Sequence, residues 1–471
     1  MGYRRRNRHG RVEVLEMDDQ ADVIVLGMGP GGEEVAGRLA EAGLDVIGVE
    51  PRLVGGECPY WGCIPTKMMV RAADALAEAG RASVLAGATV DGSDWAPVVD
   101  RVREATDDWD DVVAVRRFEG KGGRLRRGHG RLDGPGRVVV DGVTLEARRA
   151  VVVATGGRPA VPPVPGLADT PFWTNREAVR AGQVPGSLAV LGGGAVGVEF
   201  AQVFRRFGAD VVVVDTASRL VAQEEPEASD LIGAVFGSEG IGLRLSAEVS
   251  SVNHDGRRFT LVLAGSEALT ADHLLIATGR HVDLAALEVA TVGLDESASA
   301  LPVDDHLRVM GVERTWAVGD VTGKGAFTHM AMYQADVVVR DILGEPVTPA
   351  DYRAVPRVTF TDPEVAAVGL TERAARDAGV TVRTGSADLA TSARGWIHGD
   401  AGHGLIKVVA DADRGVLVGA TSIGPCGGEV LSMLTLAVHA GVPIDRLADM
   451  IYAYPTFHRA VQDAVRDLSS T

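Results

Sequence analysis

Apolar residues along this chain switch between strand-like runs and helical spacing in a pattern that occurs twice. From Asp22 to Leu26 they form a short β-branched run, which passes through Gly27-Met-Gly29-Pro30-Gly-Gly32 into a stretch with Ala36, Leu39 and Ala42 at helical spacing. A second strand pattern, Val46 to Val49, ends in Glu50. The series then returns as Leu188 to Leu191, Gly192-Gly-Gly194-Ala-Val-Gly197, a helical stretch through Glu199, Phe200 and Val203, and Val211 to Val214 ending in Asp215. In both copies the acid stands 23 positions after the first glycine (50 − 27 and 215 − 192).

A lone glycine series of this kind is often a plain turn. With strand, helix and acid all in place it predicts dinucleotide binding: Gly27 and Gly192 allow the tight turn, Gly29 and Gly194 let backbone approach a pyrophosphate, and Gly32 and Gly197 let helix and strand pack closely. Glu50 and Asp215 stand where a carboxylate reaches a ribose hydroxyl. Two complete copies imply two dinucleotides, most simply a flavin and a nicotinamide with electrons relayed between them.

Between the copies, residues 101–150 read as a helix running into glycine-punctuated strands, closing with Val151-Val-Val-Ala-Thr155-Gly156. Leu274-Leu-Ile-Ala-Thr-Gly279-Arg280 repeats that phrase after the second copy, and both read as strands returning to a domain boundary. Trp316-Ala-Val-Gly319-Asp320 is an apolar strand with a carboxylate at its end, suited to a sugar-like hydroxyl or to an Asx-turn. From about Asp351 strands alternate with helices without a further glycine series, which marks a third domain.

Composition narrows the partners. The chain has 471 residues, enough for two to four domains, and is 46% hydrophobic and 24% charged, as soluble globular chains are. Its formal charge of −17 argues against nucleic acid, and no apolar run approaches the roughly 18–20 residues of a membrane span. Three cysteines in this length suggest a reducing compartment, so a cytoplasmic protein is expected. Residues 1–20 carry Arg4, Arg5, Arg6, Arg8 and Arg11 without an apolar segment behind them. That excludes a secretory signal and predicts a basic, disordered arm, with Met17 as an alternative start.

Two of the three cysteines, Cys58 and Cys63, stand in Gly55-Gly56-Glu-Cys-Pro-Tyr-Trp-Gly-Cys-Ile-Pro-Thr-Lys67. Two thiols so close can accept two electrons as a disulfide and pass them on by thiolate attack. A structural crosslink or a metal clip would use the same spacing. Zinc needs about four ligands, and no matching Cys or His pair stands elsewhere, so no metal site is expected.

Taken together, the two glycine series, Cys58-x4-Cys63-Ile-Pro-Thr-Lys67, Gly319-Asp320, and Pro363-Glu364 before Val368-Gly-Leu-Thr-Glu372 resemble the flavin-dependent pyridine nucleotide-disulfide oxidoreductases. That family includes lipoamide dehydrogenase and the glutathione, mycothione and mercuric reductases. The resemblance implies FAD on the first series, with Glu50 at the ribose, and Gly56, Gly130, Thr155, Gly156, Gly319, Asp320, Ala326 and His329 along the cofactor. NAD(P)H would lie on the second series with Asp215 and Gly279. A pair between Lys67 and Glu199 beside the flavin is implied, with Cys63 receiving electrons and Cys58 attacking substrate. Asp215 would repel a 2'-phosphate, which favours NADH, while Arg219 keeps NADPH open.

The implied organisation is a basic arm (1–20), an FAD-binding domain in two parts (21–160 and 281–350), an inserted NAD(P)-binding domain (161–280) and an interface domain (351–471) that forms a homodimer. The expected fold is therefore α/β, with two Rossmann-like domains and a C-terminal α+β domain.

The sequence departs from the family at its C-terminal end. Its disulfide reductases carry His-x-His-Pro-Thr-x-x-Glu there, with the second His as acid/base, whereas this chain has Tyr452-Ala-Tyr454-Pro-Thr456-Phe-His458-Arg459. Tyr454, with a reference pKa of about 10, would donate a hydrogen bond rather than take a proton. His458, one turn into a helix that Thr456 would cap, is a candidate substitute or a surface histidine. Mercuric reductases also place Tyr at this position, but end in a vicinal cysteine pair that this chain lacks; Cys426 stands alone in a glycine-rich turn. Pro59, Tyr60 and Trp61 are bulkier than the residues usual between the cysteines, which would narrow access or form a stacking surface. The expected function is FAD-dependent, NAD(P)H-linked reduction of a disulfide or oxidation of a dithiol. The alternatives are reduction of a quinone, metal ion or other small acceptor, and a redox-responsive flavin-binding protein.

Overall fold

A computed structural model describes residues 3–6, 12–15, 19–89 and 92–468. Contacts divide the chain into two units, Met1–Tyr60 with Trp109–Arg158 and His281–Ala350, and Trp61–Asp108 with Pro159–Arg280 and Asp351–Thr471.

In the first unit the strand Gln20–Leu26 sits inside a seven-stranded sheet. Val46–Glu50 and then Arg124–Arg127 continue it in parallel on one side, and Val143–Val153 and then Thr315–Ala317 on the other. Across the sheet these strands are third, second, first, fourth and fifth in chain order, the doubly wound arrangement whose order reverses at the first strand. An antiparallel hairpin, Gly130–Leu132 with Arg137–Val140, joins the start of Val143–Val153. Successive side chains of the first strand enter two cores. Val23 and Val25 pack with Val35, Leu39 and Val338, from the helices Pro30–Glu41 and Thr328–Leu343, while Ile24 and Leu26 pack with Leu145 and Leu284. Burial on both faces is why the sequence shows an unbroken apolar run there rather than alternation.

Within the N-terminal arm, Tyr3–Arg6 pairs antiparallel with Val12–Leu15, a short ribbon where no structure was expected. Val12 and Val14 are strand-favouring residue types. The rest of residues 1–18, Met17 included, lies outside the described residues.

In the second unit a parallel sheet runs in the order Gly242–Arg244, Asp210–Val214, Ser187–Leu191, His273–Ile276, repeating the first arrangement around the second glycine turn. An antiparallel meander of Val249–His254, Phe259–Leu263 and Ala268–Ala271 is inserted before its last strand. Residues from Asp351 on form a five-stranded antiparallel sheet in the order Pro356–Thr359, Glu364–Gly369, Val416–Gly424, Leu405–Asp411, Val382–Asp388. Its core joins Val368, Ile406 and Val408 to Leu431 and Leu434 of the helix Gly427–Ala440 and Val461 and Val465 of the helix Ala460–Asp467. The fold is α/β, with two dinucleotide-binding sheets and a C-terminal α+β domain. The helices Cys63–Leu85 and Ala96–Ala105 group with the second unit, although the sequence reading placed them inside residues 21–160. Among the described residues no helix is long and apolar enough to cross a membrane.

Candidate active site

The two glycine turns are built alike. A Cβ on Gly32 would stand 2.0 Å from the Gly27 oxygen, and one on Gly197 would stand 1.9 Å from the Gly192 oxygen, so each helix can lie on its turn only without a side chain there. At Gly29 and Gly194, the residues just before the helices Pro30–Glu41 and Ala195–Arg206, an added Cβ would meet nothing within 4 Å. Unpaired first-turn N–H groups, the helix dipole and room over the backbone are what a pyrophosphate requires.

The acids are held in matching positions. Glu50 accepts the N–H groups of Met28 and Arg52, each at 2.9 Å, and Asp215 accepts those of Gly193 at 2.5 Å and Ala217 at 2.8 Å. Each carboxylate oxygen keeps a further lone pair, so a ribose diol could still be bound.

Along the first unit, Gly130 opens a strand against Leu26 and Val49, Thr155 and Gly156 follow the strand Val143–Val153, and Gly319 and Asp320 begin a short 3-10 turn. Gly56 packs against Gly29, a Cβ there falling 2.7 Å from the Gly29 Cα. Ala326 and His329 are exposed, the imidazole stacked on Phe327. Two residues that sequence reasoning missed fix the Gly319 turn. Fully buried Gln334 accepts the Gly319 N–H at 2.7 Å and donates to Thr322 Oγ1, which itself donates to the Gly319 carbonyl. A glutamine inside an otherwise apolar helical pattern was the available signal. In the second unit Gly279 follows the strand His273–Ile276 with φ of 120°, and Thr278 Oγ1 donates to the Ala160 carbonyl.

Cys58 lies half-buried in the helical turn Glu57–Tyr60. Cys63 is exposed and is the first residue of the 23-residue helix Cys63–Leu85, where the dipole favours a thiolate. One turn on, Lys67 Nζ stands 2.6 Å from Glu199 Oε2 on the helix Ala195–Arg206. The Glu199 side chain is only 7% exposed, and its other oxygen accepts the Phe360 N–H at 2.8 Å. The Lys67 ammonium also lies 4.7 Å from the centre of the Phe360 ring. The bulky residues between the cysteines part company. Tyr60 is buried, while Trp61 lies under the guanidinium groups of Arg176 and Arg180, with Asn175 donating to its carbonyl.

At the C-terminal end Tyr454 is 75% exposed. His458 is half-buried beside Tyr452, their rings 5.8 Å apart. Thr456 does not cap the following 3-10 turn: its hydroxyl donates backward to the Ala453 carbonyl. Arg459 pairs with Asp463 at 2.7 Å, one turn along its own helix. The Cys426 thiol precedes the helix Gly427–Ala440, and burial pushes it up. Among the described residues one group, Asp304, Asp305 and His306, has side-chain atoms close enough for a metal ion; Asp304 there accepts the N–H groups of His306 and Arg308, as an ordinary turn closure does.

Comparison with known proteins agrees with this geometry. Residues 21–335 match the family model described as pyridine nucleotide-disulphide oxidoreductase, and residues 355–465 match that family's dimerisation domain. The chain is 33% identical to a dihydrolipoyl dehydrogenase of Chlorobaculum tepidum, over 95% of this chain and 97% of that one. It is 32% identical to a mercuric reductase of Streptomyces lividans, over 97% and 98%. Among solved structures, the Cu(II) complex of the HOCl-induced flavoprotein disulfide reductase RclA from Escherichia coli superposes with a TM-score of 0.84 at 26% identity, covering 96% of this chain and 99% of that one. LpdA from Mycobacterium tuberculosis gives 0.83 at 25%, covering 95% and 99%.

Proposed function

The chain belongs to the pyridine nucleotide-disulphide oxidoreductases, FAD-dependent enzymes, and from that premise we propose that it carries electrons from NADH through Cys63 and Cys58 to a disulfide, or in reverse from a dithiol. The observation that carries this reading is Cys63 at the head of a helix whose next turn places Lys67 on nearly buried Glu199. Bound FAD would supply the two-electron step between nicotinamide and thiol, and the glycine turn Gly27–Gly32 with Glu50 is the part of the chain suited to hold it. Glu199 holds the Lys67 ammonium in place at 2.6 Å, and that positive charge offsets negative charge as electrons arrive. Electron uptake opens the Cys58–Cys63 disulfide to two thiols. The Cys58 thiolate then attacks the substrate disulfide, one substrate thiol leaves with a proton, and Cys63 attacks Cys58 to release the second and restore the enzyme disulfide.

Preference for NADH is supported by the surroundings of Asp215. Arg219, the nearest guanidinium in sequence, is committed to Ser229 Oγ and to the carbonyls of Ala222 and Glu224 at 2.6–2.9 Å, and Arg244 is paired with Glu267. A homodimer is the expected assembly, in which exposed Tyr454 would face the partner.

Tyr454 supports a second reading. A phenol cannot take a proton from a thiol at neutral pH, whereas one- or two-electron delivery to a quinone or metal ion needs no such base. Anaerobic titration with NADH tests the first reading. Uptake of four electrons, with a long-wavelength thiolate–flavin band at the two-electron stage, is expected; uptake of only two would show that the thiols are not connected. A Cys58→Ser variant that turns over disulfide substrate at the full rate would also overturn it.

A further inference from the structure

Two ion pairs join the helix Cys63–Leu85 to the helix Ala195–Arg206. Lys67 meets Glu199, and Asp74 Oδ1 accepts from Arg206 Nη1 at 2.8 Å. The second pair lies seven residues further along both helices (74 − 67 and 206 − 199), so the helices run parallel in fixed register with rungs about 10.5 Å apart. The polarity alternates: the first helix supplies the cation of one rung and the anion of the other. A slide of one helix along the other would break both.

Arg206 is the hub of the second rung. Its side chain is 7% exposed, and it also donates to Glu239 at 2.8 Å and to Asp362 at 2.9 Å. Arg81, a further seven residues along the first helix (81 − 74), donates to the same Asp362 oxygen at 3.2 Å. Asp362 belongs to the stretch whose Phe360 N–H donates to Glu199. Gln202, one turn from Glu199, grips the Asp362 backbone twice, accepting its N–H at 2.8 Å and donating to its carbonyl at 2.9 Å. Both rungs therefore pull on one clamp, the segment Phe360–Asp362.

We propose that Asp74 is a positioning residue: by holding Arg206 it fixes the register of the Cys63 helix and so sets how Lys67 stands on Glu199, and protonating its carboxyl loosens that rung. This rests on the reading of Cys63 and Lys67 as redox-site residues. The groups facing the second rung are Asp74, Glu78, Glu239, Asp362 and Glu364 against Arg71, Arg81 and Arg206, which leaves two carboxylates in excess; burial pushes the Glu364 carboxyl up as well. Burial, with the Asp362 charge added, outweighs the pairing with Arg206 and pushes the Asp74 carboxyl up to about 6.

The test uses the flavin-loaded protein reduced by two electrons with dithionite, following the long-wavelength thiolate–flavin band from pH 5 to 8. In the wild type the band steps near pH 6; Asp74→Asn abolishes the step, and Asp74→Glu keeps one at a shifted pH. A wild-type profile without the step, or an Asp74→Asn profile that overlays it, overturns the proposal. If the wild type shows no band at any pH, the redox-site reading has failed instead, and melting decides. Coupled rungs make the Tm losses of Asp74→Asn and Lys67→Met combine to clearly less than their sum. Fully additive losses, expected of independent sites so far apart, overturn the proposal.

Discussion

Glu50 and Asp215 close their strands identically: each carboxylate accepts the N–H of the residue after the first glycine of its turn and the N–H two residues beyond itself. The acid therefore braces the glycine turn and presents its remaining lone pairs outward. Replacing Asp215 with Ala removes both tasks. Hydrogen bonds to a charged group are worth about 1.5–3 kcal/mol, so kcat/KM for NADH should fall roughly 10- to 100-fold, with NADPH affected less. Steady-state kinetics with both nucleotides checks this, and a variant whose NADH kinetics match the wild type would remove Asp215 from the site.

Lys67 and Glu199 differ in what each leaves behind. Lys67→Met strands a carboxylate that is 7% exposed with one backbone N–H for company. The cost should be about 2–3 kcal/mol, below that of a fully buried pair because Lys67 itself is 36% exposed. Glu199→Gln keeps an oxygen for the Phe360 N–H and leaves Lys67 free to reach water, so about 1 kcal/mol is expected. Denaturant melts of the two variants should rank them in that order, and the reverse order would contradict the geometry.

The glycine turns, both acids and the central strands were legible because each needs only neighbours in sequence: a turn residue, a β-branched run, a spacing of 23. The Lys67–Glu199 pair came through family resemblance, since a side-chain contact spanning 132 positions leaves no periodic mark. Arg206, Asp74 and Asp362 were missed for that reason, as their charges look like ordinary solvated helix faces until the helices are laid side by side. Gln334 was hidden the other way, as one polar residue in an apolar pattern whose partner is a backbone N–H 15 positions earlier. The Thr456 cap failed because its hydroxyl is turned back to donate to the Ala453 carbonyl and accepts no N–H of the following turn, a choice that local propensity cannot resolve.

Tyr454 is where the substrate side can be rebuilt. Tyr454→His returns a group that titrates near neutrality to the position that serves the thiols in related reductases, and general acid/base help is worth about 10²–10⁴ in rate. Disulfide turnover should rise at least about tenfold with a new pH dependence between 6 and 8, while the rate of flavin reduction by NADH stays unchanged. If disulfide turnover does not move, the C-terminal segment does not serve the thiols of this enzyme, and the acceptor-reductase reading gains.

Lys407 makes a separate claim about stability. Its buried ammonium meets Glu225 at 3.1 Å, Glu372 at 2.9 Å and Glu227 at 2.7 Å, tying the start of the helix Pro226–Glu239 to the C-terminal sheet. Burial works against its charge, but the hydrogen bonds it donates to these carboxylates win and raise its pKa. Lys407 therefore adds stability below the ordinary lysine pKa, and loses it only as pH rises through its raised value. Hydrogen bonding to Lys407 in turn holds the Glu372 carboxyl below its usual range, a contribution present above about 4.5 and lost as pH falls. Lys407→Met should cost about 3–5 kcal/mol at pH 7, because buried Glu225 and its neighbour Glu227 are left without their cation while Glu372 keeps only Arg376. Stranded carboxylates take up protons as pH falls, so the deficit should shrink steadily from pH 7 toward pH 4. Melting curves of wild type and variant across that range check the slope, and a deficit independent of pH would mean that Lys407 acts by packing alone.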